Sequence, residues 1–476
     1  MLKFDSRCPI VVLLVFGSVT IAPPSACAEV ADPEAVRVLD PDIAKPQREA
    51  TAADRIGPDG WVYTDFSRAG VPGGIPDVPA TVRAEDFGAV PGDDLDDAAA
   101  IQRAVDHVVE RGQPGAVTLG EGEFVIDRTV DFRGDGIVIR GAGPEQTVLI
   151  ARFAGQPLDK MGHRSEAPRK PVLSWSGVSQ DEAGRRARSL VIEDAHRGDR
   201  EVVVEDAKRF RVGDPVTIAN RRPSREILDV INPQMRDKLR KAYQRSVDRG
   251  YFQAQGGEGF AIIAQISGNR LLLDRPLLHD LPLKQEPFVD NDSNYLRGGG
   301  AEGISIVQED ATKTQINGIN LFRVIGVWVR DVKIGPIGSW PLEIEKAAHC
   351  EVRDSHFDDT FARGGGGVGY FGLSKSHYCL VDHVRVERLR HMSLQMSSSG
   401  NVVRRCTLRN ADLQFHLHWP SDNLIEQCDI DAGWGSEESR GTYGVGVYSP
   451  SFFNEQHLPA GRFNAYYNNT IVSPYQ

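Results

Sequence analysis

Five segments in the last third of the chain repeat one pattern. Written in register, "VWVRDVKIG" from Val327, "CEVRDSHFD" from Cys350, "CLVDHVRVE" from Cys379, "NVVRRCTLR" from Asn401 and "NLIEQCDID" from Asn423 share two apolar columns. The third position reads Val329, Val352, Val381, Val403 and Ile425, at spacings of 23, 29, 22 and 22 residues. The eighth reads Ile334, Phe357, Val386, Leu408 and Ile430. Short strands with alternating apolar residues, returning at that period, predict the stacked coils of a parallel β-helix. A leucine-rich repeat has a similar period but needs a Leu-x-x-Leu-x-Leu signature that is missing here. "NAYYNNTIV" from Asn464 reads as one more coil after a longer excursion from Gly433 to Arg462.

The cysteines obey the same register. Cys350 and Cys379 share the first column, and Cys406 and Cys428 the sixth. Coils about 4.8 Å apart bring each pair within disulfide range. Stacked side chains often diverge in Cβ direction, so two stacks of small buried thiols are the favoured reading and disulfides the alternative. Asn401 and Asn423 stack as well, which predicts a short asparagine ladder where αL-tolerant Asn opens each new strand.

Upstream, "DDLDDAAAIQRAVDHVVERG" predicts a helix capped by Asp96 or Asp97 and stopped by Gly112. Its apolar stripe is Ile101, Ala104, Val105, Val108 and Val109, fit to cover the open end of a coil stack. Short strands follow: "AVTL", "EFVI", "TVDF", "GIVIRGAG" and "TVLIA".

"EDFGAVPGDDLDDAAAIQRAVD", "GAVTLGEGEFVI" and "IVIRGAG" together resemble the start of the pectate-lyase-like superfamily, which includes rhamnogalacturonase- and epimerase-like proteins. With the repeat, the resemblance covers roughly residues 80–151 and 300–476. It implies an all-β, single-stranded, right-handed parallel β-helix with an N-terminal capping helix, and a carbohydrate as partner. It does not fix the reaction, because one β-helix hosts several chemistries.

Residues 1–28 read as a signal peptide: Lys3 and Arg7, an apolar run from Ile10 to Ile21, then Ala26-Cys27-Ala28. The expected location is therefore secreted or periplasmic, with no membrane insertion after cleavage. Residues 29–79 read as an N-terminal arm, and 80–476 as the β-helix domain. Residues 152–298 break the coil pattern and predict a β-rich insertion carrying one basic helix, "NPQMRDKLRKAYQRSVDRG". The net charge is −11, or −12 without residues 1–28, which argues against nucleic acid as a partner. Oligomeric state is not encoded in any feature of the sequence.

Polygalacturonase-type hydrolysis needs paired carboxylates, and Asp358-Asp359 is the one dipeptide that resembles that family's motifs. A lyase or epimerase needs a base for the proton α to a uronate carboxyl, and a cation or donor beside the developing enolate. On successive coils the chain offers Lys346, Lys375, Arg390-His391, then His416 and His418, with Tyr443 and Tyr448 beyond. In "QFHLHW" the pattern turns Phe415, Leu417 and Trp419 inward, so both histidines face out. The expected roles are His416, His418 or His391 as base or acid, and Arg390 and Lys375 against the uronate. Tyr443 or Tyr448 would donate to the leaving oxygen, and Lys346 and Arg363 would bind substrate. A zinc site would need His391 as third ligand to the His416–His418 pair. No cofactor is specified, although Ca²⁺ held by Asp and Glu would serve the same electrostatic role. The favoured activity is a lyase or epimerase on an acidic polysaccharide; hydrolysis and glycan binding without catalysis are the alternatives.

Overall fold

A computed structural model describes residues 62–472, apart from 154–155, 158–169, 182–183, most of 223–256, 310–313, 363–367, 417 and 433–459. The expected signal peptide, the first part of the arm and nearly all of the basic helix lie outside the described residues. Among the described residues, no helix is long and apolar enough to cross a membrane.

The repeated segments pair with one another in parallel, in the register read from the sequence. Val329 lies beside Val352, then Val381, Val403, Ile425 and Tyr466. Ile334 lies beside Phe357, Val386, Leu408, Ile430 and Ile471. These two ladders belong to one 17-stranded sheet that the earlier strands extend upstream. An 8-stranded sheet closes the coil on the third side, with Leu321, Ile344, Leu373, Leu394 and Phe415 in one column. All of these columns except the half-exposed Tyr466 and Ile471 are fully enclosed in one continuous core. Each large side chain so enclosed contributes about 1.5–3 kcal/mol.

The helix Ala98–Glu110 packs Ile101, Ala104, Val105 and Val108 into that same core, with Val109 partly buried beside it. Asp96 accepts from the Ala98 N–H at 2.9 Å and so caps the helix. Asp97 instead ties the loop before it to the coil, accepting from the Val90 and Val125 N–H groups at 2.8 and 3.0 Å.

At the turns, Asn401 Nδ2 donates to Asn423 Oδ1 at 2.9 Å, and Asn423 Nδ2 to Asn464 Oδ1 at 3.0 Å. The ladder forms, but for a different reason from the one expected. The αL position is the residue before each asparagine, Gly400 (φ 71°) and Asp422 (φ 58°). The amides are used to pair buried backbone groups: Cys379 N–H on Asn401, and Ser398 C=O on Asn423. Cys350, Cys379, Cys406 and Cys428 are free and buried. Burial pushes the Cys379 and Cys406 thiols up, and the neighbouring Cys350 and Cys428 add to it.

The insertion is a six-stranded antiparallel sheet with its own core, including Val204, Ile218, Ile263, Leu273 and Val289. Its limits are narrower than 152–298. Lys170–Ser176 lies within that span yet pairs in parallel with coil strands on both sides, and Trp175 stacks on Phe132 at 4.0 Å. The chain is back in parallel pairing at Leu296–Arg297. The insertion docks on the turn column of the coils. Arg275 lies 4.4 Å from the Tyr378 ring centroid and donates to His349 Nε2 at 3.0 Å, while Arg197 pairs with Asp422 at 2.6 Å.

The described part of the arm runs along the coils. Thr64 bonds Asp422, the Gly70 N–H bonds Tyr378 O, and the Val71 N–H bonds Glu351. Val71, Ile75 and Val78 then cover Ala116, Val138 and Trp328. Gly70 sits at φ +93° with Glu351 2.8 Å from where a Cβ would be, so only glycine fits there.

Two outcomes follow from these contacts. Asn423→Ala removes the middle of the ladder and leaves buried groups of three coils unpaired, so denaturant unfolding should show a loss of about 3 kcal/mol. His349 accepts from Arg275 and faces the Arg68 carbonyl through Nδ1, so it is held neutral; burial, then the Arg275 charge, lowers it to about 4. Below pH 6.5 the unfolded chain binds this proton and the folded chain does not, so stability falls as pH drops from 6.5 to 4. The thermal midpoint across that window should decline, and decline less steeply in His349→Gln.

Candidate active site

The 8-stranded sheet turns alternate side chains outward, and parallel register stacks them in three columns. Tyr370, His391 and Asp412 form the first. Asn320, Glu343, Gly372, Ser393 and Gln414 form the second. Phe322, Glu345, Ser374, Gln395 and His416 form the third. The face is thus polar and runs along the coil axis, with one step per rung of about 4.8 Å.

Within it, His391 Nδ1–H donates to Asp412 Oδ1 at 2.5 Å, and both side chains are buried. That bond fixes the tautomer and leaves Nε2 as the basic nitrogen. The Tyr370 ring stands edge-on to both histidines, with centroids 4.8 Å from His391 and 5.9 Å from His416. His391 and His416 stack loosely at 6.4 Å. The Arg390 guanidinium lies 5.4 Å from the Tyr370 centroid. The Trp340 and Tyr370 ring centroids are 5.1 Å apart, with the rings tilted by 43°. The Trp340 ring passes over Gly372, where an added Cβ would come within 2.8 Å of it. Asn317 Nδ2 donates to Glu343 Oε2 at 3.1 Å and Gln395 Nε2 to Ser374 Oγ at 2.6 Å. Two buried atoms of the middle column, Ser393 Oγ and Gln414 Oε1, have no hydrogen-bond partner among the described residues. Buried polar atoms are rarely left so, and here they adjoin the His391–Asp412 pair.

Of the residues predicted from sequence, His391, His416 and Arg390 come together on this face. His418 does not. The strand ends at His416, and His418 and Trp419 turn away with φ of 46° and 61°. Trp419 therefore leaves the core and lines a cavity beside the insertion. The expected zinc triad fails with it, because His418 was one of the three ligands and does not share the face of His391 and His416. Lys346 and Lys375 also lie just past their strands, at φ of 50° and 48°, and swing to the insertion. Lys346 pairs with Asp292. Burial alone would raise the Glu258 carboxyl, but His377, 3.9 Å away, and the charges of Lys375 and Lys346 hold it below the usual range. Leu417, Arg363, Tyr443 and Tyr448 lie outside the described residues. Sequence reading missed Tyr370, Asp412, Glu343 and Trp340. Aligning "YFGLS", "HMSLQ" and "DLQFH" with one another would have placed the first two in the His391 column.

Asp358 belongs to the other sheet, where Arg388 binds it at 2.5 Å, and Asp359 follows at φ 66°. Burial raises the Asp358 carboxyl despite Arg388. With His356 and Glu387 it forms the one group of three metal-type ligands found among the described residues. Arg385 and His356 hold Glu387 down to about 2, and two arginines already neutralise these carboxylates, which is a poor match to Ca²⁺.

The profile of the family described as "Rhamnogalacturonase A/epimerase, pectate lyase-like" matches residues 81–163. Among solved structures, the tailspike protein gp49 from Pseudomonas phage LKA1 is 18% identical with a TM-score of 0.54, covering 82% of this chain and 59% of its own. The fold is a right-handed parallel β-helix. The tailspike gp61 of Pseudomonas phage phi297 (11% identical, TM-score 0.40) covers 75% of this chain and 64% of its own. An iota-carrageenase complexed to iota-carrageenan fragments (8% identical, TM-score 0.36) covers 77% and 57%. The chain thus spans about six-tenths of the length of these three structures. No curated protein matches it.

Proposed function

We propose that this protein is an exported polysaccharide lyase acting on a uronate-containing polymer laid along the outer face of the 8-stranded sheet. The observation that carries the reading is the His391–Asp412 pair, set in a lengthwise polar face with Tyr370 beside it. The chemistry runs as follows. His391 Nε2 takes the C5 proton, α to the uronate carboxyl, while Asp412 stabilises the imidazolium that forms. Arg390 offsets the charge that builds on the carboxylate. As the C4–O bond breaks and the C4–C5 double bond forms, the Tyr370 hydroxyl protonates the leaving oxygen. Tyr370 here fills the donor role that the sequence assigned to Tyr443 or Tyr448. Ser393, Gln414 and His416 supply hydrogen bonds to the sugar hydroxyls. The family profile over residues 81–163 and the leader-like residues 1–28 support an exported, glycan-directed protein.

Hydrolysis is the second reading, and a specific observation favours it. Glu343 and Glu345 share the outward face of one strand. Two residues along a strand place carboxylates ~7 Å apart, inside the ~6.5–9.5 Å range of inverting glycosidases.

Incubation with a panel of uronate-containing glycans separates these readings. A lyase yields an unsaturated uronate that absorbs in the ultraviolet; a hydrolase yields reducing ends without that absorbance. His391→Ala should lower turnover by about 10²–10⁴-fold with folding intact, whereas Glu343→Gln should retain the ultraviolet product. Reducing ends without ultraviolet absorbance, lost in Glu343→Gln and kept in His391→Ala, would establish hydrolysis. Saturable binding with neither product would identify a non-catalytic glycan-binding β-helix.

A further inference from the structure

A cavity of about 310 Å³ lies where the insertion meets the turns of the last coils, apart from the outer face. Arg197, Asn220, His279 and Gln285 line it from the insertion, and Trp419 and Phe463 from the coils. Three polar atoms in its wall are buried without a hydrogen-bond partner among the described residues: Asn220 Oδ1, Gln285 Oε1 and His279 Nε2. Asn220 is 1% exposed and Gln285 9%. The Asn220 amide is oriented by its own Nδ2, which donates to Asp280 O at 2.9 Å, so its oxygen is the atom left over. Burial, and after it the charge of Arg197, lowers His279 to about 4 and keeps its ring neutral.

The charges around the cavity balance. Arg197, Lys284 and Arg462 face Asp194, Asp280 and Asp422, with Arg197 and Asp422 paired at 2.6 Å. An anion gains little in such a setting, while hydroxyl groups would pair the buried acceptors. Trp419 gives a flat apolar wall, seated against Gly461, where a Cβ would come within 2.7 Å of the indole nitrogen. Acceptors beside an indole face suit a ring that carries hydroxyls on its rim and C–H groups on its face. The volume is at the lower end of small-ligand sites, about 300–1,000 Å³, and suits one or two pyranose rings.

We propose that this cavity is a second carbohydrate-binding site that takes an uncharged sugar residue. It does not depend on the reaction proposed for the outer face. Its ligand differs in kind, being neutral where the other site takes a uronate. A polymer or branched glycan containing both sugars would be held at two points.

The test is calorimetric titration of the full chain with methyl glycosides of glucose, galactose, rhamnose and N-acetylglucosamine, and with methyl glucuronide as the charged control. At least one neutral glycoside should bind saturably, in the millimolar range. Gln285→Leu and Trp419→Ala should each weaken that binding tenfold or more, while His391→Ala leaves it unchanged. Where Trp419→Ala lowers the thermal midpoint, Gln285→Leu alone decides. No saturable binding by any neutral glycoside, equal binding in Gln285→Leu, or preference for the glucuronide would overturn the proposal. Ultraviolet product formation by the same variants reports on the outer face separately, so failure at one site is not failure at the other.

Discussion

Parallel hydrogen bonding between coils, rung on rung, is the constraint on which everything else in this molecule depends. Each rung places a residue directly beside its counterpart one coil away, at about 4.8 Å. The inward consequence is the unbroken core of Val329, Val352, Val381 and Val403. The consequence at the turns is the Asn401–Asn423–Asn464 chain, in which each amide serves two coils. The outward consequence is a face on which Tyr370, His391 and Asp412 meet although they are 21 residues apart at each step. A one-residue slip of any strand would send these groups inward and open the core at the same time. Stability and the candidate chemistry are therefore set by one register.

The insertion and the arm occupy the coil's remaining flank. Turn residues His349, Tyr378 and Asp422 adopt positive φ, which throws their side chains off the sheets and toward these two segments. Arg275 and Arg197 meet them there with cation–π and ionic contacts. The same backbone twist carries Lys346 and Lys375 away from the outer face. One local conformation thus assigns both lysines to the docking flank and leaves the 8-stranded sheet with histidine, carboxylate and amide groups beside Arg390.

Much of the coil was legible in the sequence, because inward positions must be apolar at every rung and so repeat visibly. Outward positions carry no such requirement. Asp412 is invisible beside Leu413 and Phe415 unless its strand is first set against His391 and Tyr370. Turns at the ends of strands were the second blind spot. His418 obeys the period of two on paper, but the strand stops at His416, and a positive φ removes it from the face. Lys170–Ser176 was hidden for a third reason: it is one coil strand set next to a long stretch of insertion, with no adjacent repeat to compare it with. His391, His416 and Arg390 were recoverable because the rung spacing predicted that they would stack.

The arm's contacts also bear on how the chain reaches this state. Thr64 bonds Asp422, a partner 358 residues further along. Coils can be added one at a time, each closing a loop of modest length, but Thr64 has no such partner until the turn at Asp422 exists. Joining positions so far apart before the coils form would carry a loop-closure entropy that grows with the logarithm of the separation, about 5 kcal/mol at this length. Local coil stacking has no such barrier and precedes it. Thr64, at the start of the described chain, thus settles late, and it acts as a latch that closes only once the coils as far as Asp422 are stacked.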